Sequence, residues 1–409
     1  MSFITSLRIK NFFSIKDEVT IDFKASPYNI ENNPDRLFEF NGEYYNKIIS
    51  FYGANASGKT TVLKAISLLA SVIGNEQTDN FPVSFKNKFS DLDSFCEIEI
   101  GFVIKINSVL QEFIYSIKFK SQKYNNIGIE NEELYSVKNH NKQLFFHRKD
   151  KKIETIDIKF EETIKVIFNN LSDKKSLFQE FSKFDENNIL QEINNFFLTI
   201  QFSSNITAYK TKSNTDIRDE YDIALFLEAQ DTKKELERFL LRFFNSINLD
   251  IKRIEVKVKE EDGKEKEFLG LDIFHKIDTI EPLEFDLESD GTQMLMKILL
   301  NIFLTKKAQS ILVIDEFDSI LHPMLVPIIN NLLIENDIQI IYSTHNIYNM
   351  QFLQNDEIFL IEKDKNHTTT IKAVKDNPDV KGYKNLLTLY ENGYLGGIPN
   401  VKDIITKIL

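Results

Sequence analysis

The chain has 409 residues, with 50 Lys and Arg against 62 Asp and Glu and a formal net charge of -12. That length can bury a large core and predicts two lobes, while the acidic balance argues against a surface that wraps nucleic acid, because phosphate contacts need clustered Lys and Arg. The one cysteine, Cys96, excludes an internal disulfide and a zinc site built on cysteine pairs, and no stretch is apolar for long enough to span a membrane as a helix.

Met1–Arg8 lacks the charged-then-apolar layout of a signal peptide, so a soluble, cytoplasmic protein is expected. Ser6–Phe13 and Val19–Phe23 alternate apolar and polar residues and predict two strands joined by a tight turn. Residues 24–46 are polar, contain Pro27 and Pro34, and read as a loop. Lys47–Tyr52 predicts a short buried strand, and Thr61–Ala70 carries apolar residues at helical spacing. Between them, Gly53, Gly58, Lys59 and Thr60 complete the GxxxxGK[ST] pattern of a Walker A loop. Glycine lets the backbone curl so that successive N–H groups face a phosphate, and the helix N-terminus adds partial positive charge. The candidate ATP-binding residues are therefore Gly53, Asn55, Ala56, Ser57, Gly58, Lys59, Thr60 and Thr61. Lys59 is expected to bridge the outer phosphates and Thr60 to hold Mg²⁺.

Residues 76–94 carry turn formers; Glu97–Ile106 and Leu110–Lys120 then alternate strongly and predict a meander, with further strands at 143–148 and 153–159. Cys96 falls in this alternation and is expected in the core. His147–Lys152 reads either as a solvated hairpin turn or as a local basic patch for DNA. Residues 160–205 and 216–247 turn helical, separated by the polar run Thr211–Asp216, with Leu236, Phe239, Leu240 and Phe243 forming a core-facing stripe. Lys252–Val258 and Glu267–Phe274 flank Glu260–Gly263 as a hairpin.

Ser289 and Asp290 are good N-caps for a helix through Met294–Phe303, and Gly291 permits close approach of an anion to its N-terminus. Ser310–Ile314 is an apolar strand ending in Asp315 and Glu316, the Walker B pattern. A buried parallel strand delivers such acids at the carboxyl edge of a sheet, where Asp315 can hold Mg²⁺ and Glu316 can deprotonate a water. His322, before Pro323, reads as a helix-start residue. A second strand, Ile338–Thr344, ends in His345, whose imidazole is placed to reach a γ-phosphate.

This set, in this order, resembles the ABC-type ATPases of the SMC, RecF and OLD kind. Leu7–Phe12 is similar to their first strand, Gly53–Thr60 to Walker A, Ser289–Thr292 to the signature motif, Asp315–Glu316 to Walker B with its catalytic glutamate, Asp318 to the D-loop, and His345 to the switch histidine. Leu287–Thr292, Glu316–Pro323, Glu362–Asp364 and Tyr390–Pro399 resemble the RloA/AbiLi-type ATPases of bacterial anti-phage systems. The resemblance covers about 1–75 and 280–400. Two departures stand out: Asp290 and Thr292 replace the glycine and glutamine of transporter signatures, and no glutamine is placed as the lid residue, Gln77 being the nearest.

The resulting expectation is an α/β fold, an ABC-type P-loop ATPase head with an inserted antiparallel β and helical arm. The segments are 1–75 (Walker A), 76–160 (a β-rich lobe), 161–250 (a helical insertion) and 251–409 (signature, Walker B and switch histidine). Its cofactors are ATP and Mg, and its catalytic residues are Lys59, Glu316 and His345. The resemblance further implies a homodimer that sandwiches nucleotide against Ser289 and Gly291. The residues after His345 are too few for a Toprim nuclease domain, so a separate effector, a Toprim-type nuclease or a toxin, is expected to serve anti-phage defence. The alternatives are a RecF-like repair ATPase acting on DNA and a slow nucleotide-sensing scaffold that restrains a toxin.

Overall fold

A computed structural model describes residues 2–74, 85–91, 94–122, 126–156, 172–181, 188–203, 230–261, 264–276, 282–317, 321–364, 366–380 and 386–395. Its centre is a six-stranded sheet built from β5 (Ile48–Tyr52), β11 (Gln201–Phe202), β15 (Ile311–Ile314), β16 (Gln339–Thr344), β17 (Ile358–Lys363) and β18 (Thr369–Ala373). The spatial order is β11-β15-β16-β5-β17-β18, and all neighbours are parallel except β17 and β18. Every residue of β5, β15 and β16 is buried; β15 is apolar throughout, while β5 and β16 also bury the polar Ser50, Gln339, Ser343 and Thr344.

Alternation along these strands sends side chains into two large cores, one on each side of the sheet. Ile49, Phe51, Val313 and Ile341 face one side with α2 (Lys59–Ile73), while Ile48, Tyr52, Leu312, Ile314 and Tyr342 face the other with α5 (Gln230–Ser246), α6 (Asp290–Ala308) and α7 (Leu325–Glu335). These helix labels follow chain order after α1 (Pro27–Asn32), α3 (Leu177–Phe181) and α4 (Ile189–Leu198), and α8 (Leu386–Glu391) closes the described chain. Only Thr60 and Lys64 of α2 escape burial, because that helix is wedged between two sheets.

The second sheet has seven strands in the order β10-β9-β8-β7-β6-β1-β2. Its members are β1 (Phe3–Lys10), β2 (Val19–Asp22), β6 (Cys96–Ile106), β7 (Val109–Gln122), β8 (Asn126–Lys138), β9 (Asn141–Lys149) and β10 (Lys152–Ile156), all antiparallel. Asn107 and Ser108 turn the β6–β7 hairpin with positive φ, as a two-residue connection requires. Strand β1 pairs directly with β6, so the described strands β6–β10 extend the sheet that the N-terminus begins. Cys96 is buried in β6, and burial pushes its thiol up.

Two expectations are corrected, and one strand is added. The β1–β2 connection is a docked loop, 11–18, and not a tight turn, since Phe12 and Ile15 are driven into the core. Residues 24–46 contain α1 and a hairpin of β3 (Leu37–Phe40) and β4 (Glu43–Asn46), held by Arg36, whose guanidinium makes two 2.7 Å bonds to the buried Glu357 carboxylate. The added strand is β8, in which Glu132 and other polar residues break the alternation that marks a strand. Glu132 is buried and receives hydrogen bonds from Tyr115, Ser176 and the Leu177 N–H, with Arg148 3.6 Å away. The β12–β13 hairpin (Ile251–Glu261 and Lys264–His275) agrees with expectation, and β14 (Leu283–Glu284) extends it. The Thr211–Asp216 run and much of the helical insertion lie outside the described residues.

Candidate functional site

Strands β15, β16 and β5 are adjacent and parallel, so Asp315–Glu316, His345 and the Gly53–Thr60 loop leave the same sheet edge side by side. That edge is where open α/β sheets bind ligands. Lys59 Nζ donates to the carbonyls of Gly53 (2.8 Å) and Ala54 (3.0 Å) and lies 3.3 Å from His345 Nδ1. Thr60 Oγ1 donates to Asp315 Oδ2 at 2.8 Å. His345 Nε2 is 3.9 Å from Glu316 Oε1, which brings the three expected catalytic side chains into one cluster.

The loop's shape explains its residues. A side chain at Gly53 would run into the Ile361 carbonyl, and Gly58 adopts φ +116° with Ser14 and Thr369 where a Cβ would sit. Ala56 is left-handed at φ +61° and exposed, Asn55 is exposed, Ser57 is buried, and Thr61 is buried in the first turn of α2. Glu316 is also left-handed, at φ +53°, an uncommon backbone for a residue other than glycine.

Burial lowers the Lys59 pKa to about 8, against the pull of Asp315 and Glu316. Burial and the neighbouring Lys59 charge hold His345 below its ordinary value, with Glu316 and Asp315 acting in the opposite direction. His345 is therefore predominantly neutral at pH 7, able to donate from one ring nitrogen and accept at the other.

Sequence reasoning missed two hydroxyls. Ser343 donates to the Asp315 carboxylate and accepts the Glu316 N–H at 2.9 Å, and Ser203 accepts the Asp315 N–H at 3.0 Å. Ser343 was visible as a polar residue directly after the apolar run Ile340–Tyr342 of β16; Ser203 follows a two-residue strand with no pattern of its own.

Gly53, Ala54, Asn55 and His345 open onto a cleft of about 550 Å³ that Ile347, Tyr390 and Glu391 also line. Ser289 and Gly291 are not there. Ser289 caps α6, accepting the Thr292 N–H at 3.2 Å, and with Gly291, Thr292, His322 and Leu325 it lines a separate hollow of about 370 Å³. His322 precedes α7 and accepts the Met324 N–H at 3.3 Å, the helix-start role expected of it. Asp318 and Gln77 lie outside the described residues. The basic run His147–Lys152 spans the end of β9, the hairpin turn at Asp150 and Lys151, and the start of β10, and its Arg148 is fully buried, bonded to the carbonyls of Asp150, Ser172 and Lys175.

A glycine-rich loop between strand and helix, with an acid pair and a histidine on neighbouring strand ends, defines the P-loop ATPase class of nucleotide-binding proteins. Residues 48–350 match the family model described as "AAA domain, putative AbiEii toxin, Type IV TA system", and the chain belongs to that family. No curated protein matches it. Among solved structures, the SMC head domain from Thermotoga maritima is similar over 90% of this chain and 98% of its own, with 16% identity and a TM-score of 0.45. An SMC head bound to the C-terminal winged-helix domain of ScpA is similar over 90% of this chain and 97% of its own, with 13% identity and a TM-score of 0.48. A third, an SMC head with an extended coiled coil bound to the C-terminal domain of ScpA from Pyrococcus furiosus, gives 93%, 99%, 13% and 0.47. Among the described residues no helix is long and apolar enough to cross a membrane.

Proposed function

We propose that this protein hydrolyses ATP with Mg²⁺ and that the nucleotide cycle controls a separate effector. The observation that carries the reading is the convergence of Lys59, Thr60, Asp315, Glu316 and His345 at one sheet edge. Thr60 Oγ1 and the Asp315 carboxylate are neighbouring hard oxygen donors, the chemistry Mg²⁺ takes, and the ion when bound would neutralise charge on the outer phosphates. Lys59 exchanges its carbonyl partners, Gly53 and Ala54, for phosphate oxygens, and the loop N–H groups cradle the phosphates. Glu316, fixed at its backbone by Ser343, accepts the proton of the attacking water, and His345 stabilises charge on the γ-phosphate.

Homodimerisation through nucleotide is supported by the separation of the two hollows. The cleft at the phosphate loop and the hollow at Ser289 share no lining residue, so the Ser289 end of α6 is free to meet a second copy's nucleotide. Leu287, beside Ser289, is 67% exposed and gives that face apolar area to bury.

Resemblance to the RloA/AbiLi-type ATPases supports anti-phage defence as the process and a Toprim-type nuclease or a toxin as the effector. The net charge of -12 and the burial of Arg148 weigh against DNA as the direct ligand. The test is a Mg²⁺-dependent ATPase assay on the purified protein, with plasmid DNA present. Turnover lost in Lys59→Ala and intact DNA are expected; nucleotide-independent DNA cleavage, or no Mg²⁺-ATP turnover, would overturn the reading.

A further inference from the structure

Three hydroxyls meet behind the phosphate loop, and none of them belongs to the motif that defines it. Thr369, at the start of β18, is almost fully buried; its Oγ1 lies 2.7 Å from the Ser57 carbonyl and 2.8 Å from Ser14 Oγ, both placed to accept its proton. Ser14, in the β1–β2 loop, is 3.1 Å from Thr61 Oγ1, and its carbonyl accepts the Thr369 N–H at 3.0 Å. The loop is thus gripped from two sides, by the antiparallel sheet through Ser14 and by the β17–β18 hairpin through Thr369.

We propose that Thr369 and Ser14 are positioning residues that set the phosphate loop for nucleotide. In a trans peptide the carbonyl of Ser57 and the N–H of Gly58 point in opposite directions. Holding the Ser57 oxygen on β18 turns the Gly58 N–H away from β18, toward the side on which the loop's N–H groups take phosphate oxygens. Ser14 acts on the neighbouring residue: it holds the hydroxyl of Thr61, one position past Thr60, so that this side chain has one orientation before nucleotide arrives. The clasp also explains why position 58 is glycine. The position of a Cβ there is 2.8 Å from both Ser14 Oγ and Thr369 Cγ2, and φ is +116°.

The Glu362–Asp364 segment acquires a role from the same geometry. Asp364 Oδ1 accepts the N–H groups of Asn366 and Thr368 at 2.8 Å each, shaping the hairpin turn that delivers Thr369 to the loop. Among the described residues the clasp joins parts of the chain up to 355 residues apart.

This inference rests on the nucleotide reading, and the experiment separates the two. The affinity of the purified protein for Mg²⁺-ATP is measured with a fluorescent ATP analogue, and KM and kcat by phosphate release, for wild type, Thr369→Val, Thr369→Ser and Ser14→Ala. One lost hydrogen bond predicts a KM and Kd for ATP about three- to tenfold higher in Thr369→Val, with kcat at saturation within about twofold. Thr369→Ser, which keeps the hydroxyl, should return KM to within about twofold of wild type. Unchanged KM in Thr369→Val, equal weakening in Thr369→Ser, or a loss in kcat alone would overturn the clasp. Should Thr369→Val fail to fold, Ser14→Ala decides, with a raised KM expected and an unchanged one fatal. A wild type that does not bind Mg²⁺-ATP overturns both readings; a wild type that binds while the variants match it overturns only this one.

Discussion

Thr60 and Asp315, 255 residues apart in the chain, are joined by a 2.8 Å hydrogen bond from the threonine hydroxyl to the carboxylate. The bond marks where strand β5 hands the chain to α2 and where β15 ends, and it places two oxygen donors on one side of the phosphate loop. If this pair holds the ion, Asp315→Asn should raise the Mg²⁺ concentration for half-maximal turnover by about tenfold or more. A Mg²⁺ titration of ATPase rate at fixed ATP checks it, and an unchanged midpoint would remove Asp315 from the metal site.

Lys59 and Glu316 should fail in different ways. Lys59→Ala removes the phosphate cation and is expected to abolish ATP binding. Glu316→Gln keeps the shape of the side chain but not its basicity, so binding should persist while turnover falls about 10²- to 10⁴-fold. Equilibrium binding and single-turnover rates on the two variants distinguish the roles. Wild-type turnover in Glu316→Gln would exclude that residue as the base.

Nucleotide affinity should fall with rising pH above about 8. Burial holds Lys59 at about 8, so its charge is lost as pH rises through that value. Bound phosphate favours the charged form and raises the pKa, so ATP binding takes up a proton there, and the apparent affinity drops by up to about tenfold per pH unit until the pKa of the bound state is reached. Calorimetry at pH 8.5 in buffers of different ionisation enthalpy should show net proton uptake. Proton release would contradict the assignment.

Association of two copies should depend on ATP and on the Ser289 face. Glu316→Gln with saturating ATP is expected to be at least dimeric by light scattering, and adding Ser289→Arg should weaken that dimer, since a bulky cation cannot enter a closed sandwich. A strictly monomeric Glu316→Gln protein in ATP would rule the sandwich out.

Arg36 and Glu357 form a bidentate ion pair in which the carboxylate side chain is 1% exposed. Burial holds the Glu357 carboxyl above its ordinary value despite the pull of Arg36. Arg36→Ala leaves that carboxylate without its charge partner and should cost about 3–5 kcal/mol, read by urea unfolding. A loss under about 1 kcal/mol would show that the pair does not hold the 24–46 segment to the turn before β17.

The local pattern carried a great deal. Glycine spacing, an apolar run before it and helical spacing after it made β5, the phosphate loop and α2 legible, because strand, turn and helix each follow from residues within a few positions of one another. The same holds for β15 with Asp315 and Glu316, for β16 with His345, and for Ser289 as the cap of α6. The β3–β4 hairpin and β8 were not legible, since their polar residues meet partners supplied by distant segments, as Glu132 does with Tyr115 and Ser176.

What the chain's own order determined was the set of chemical groups and the local backbone that carries each one. What the tertiary structure decided was their company: that β16 lies between β5 and β15, so that His345 stands 3.3 Å from Lys59, that Ser343 bridges Asp315 and Glu316, and that Thr369 reaches back to Ser57. It also decided that Ser289 lies outside the cleft of its own chain. The reason is physical. Propensity and periodicity act over one or two turns, whereas a hydrogen bond between residues hundreds of positions apart exists only after the sheet has chosen its strand order.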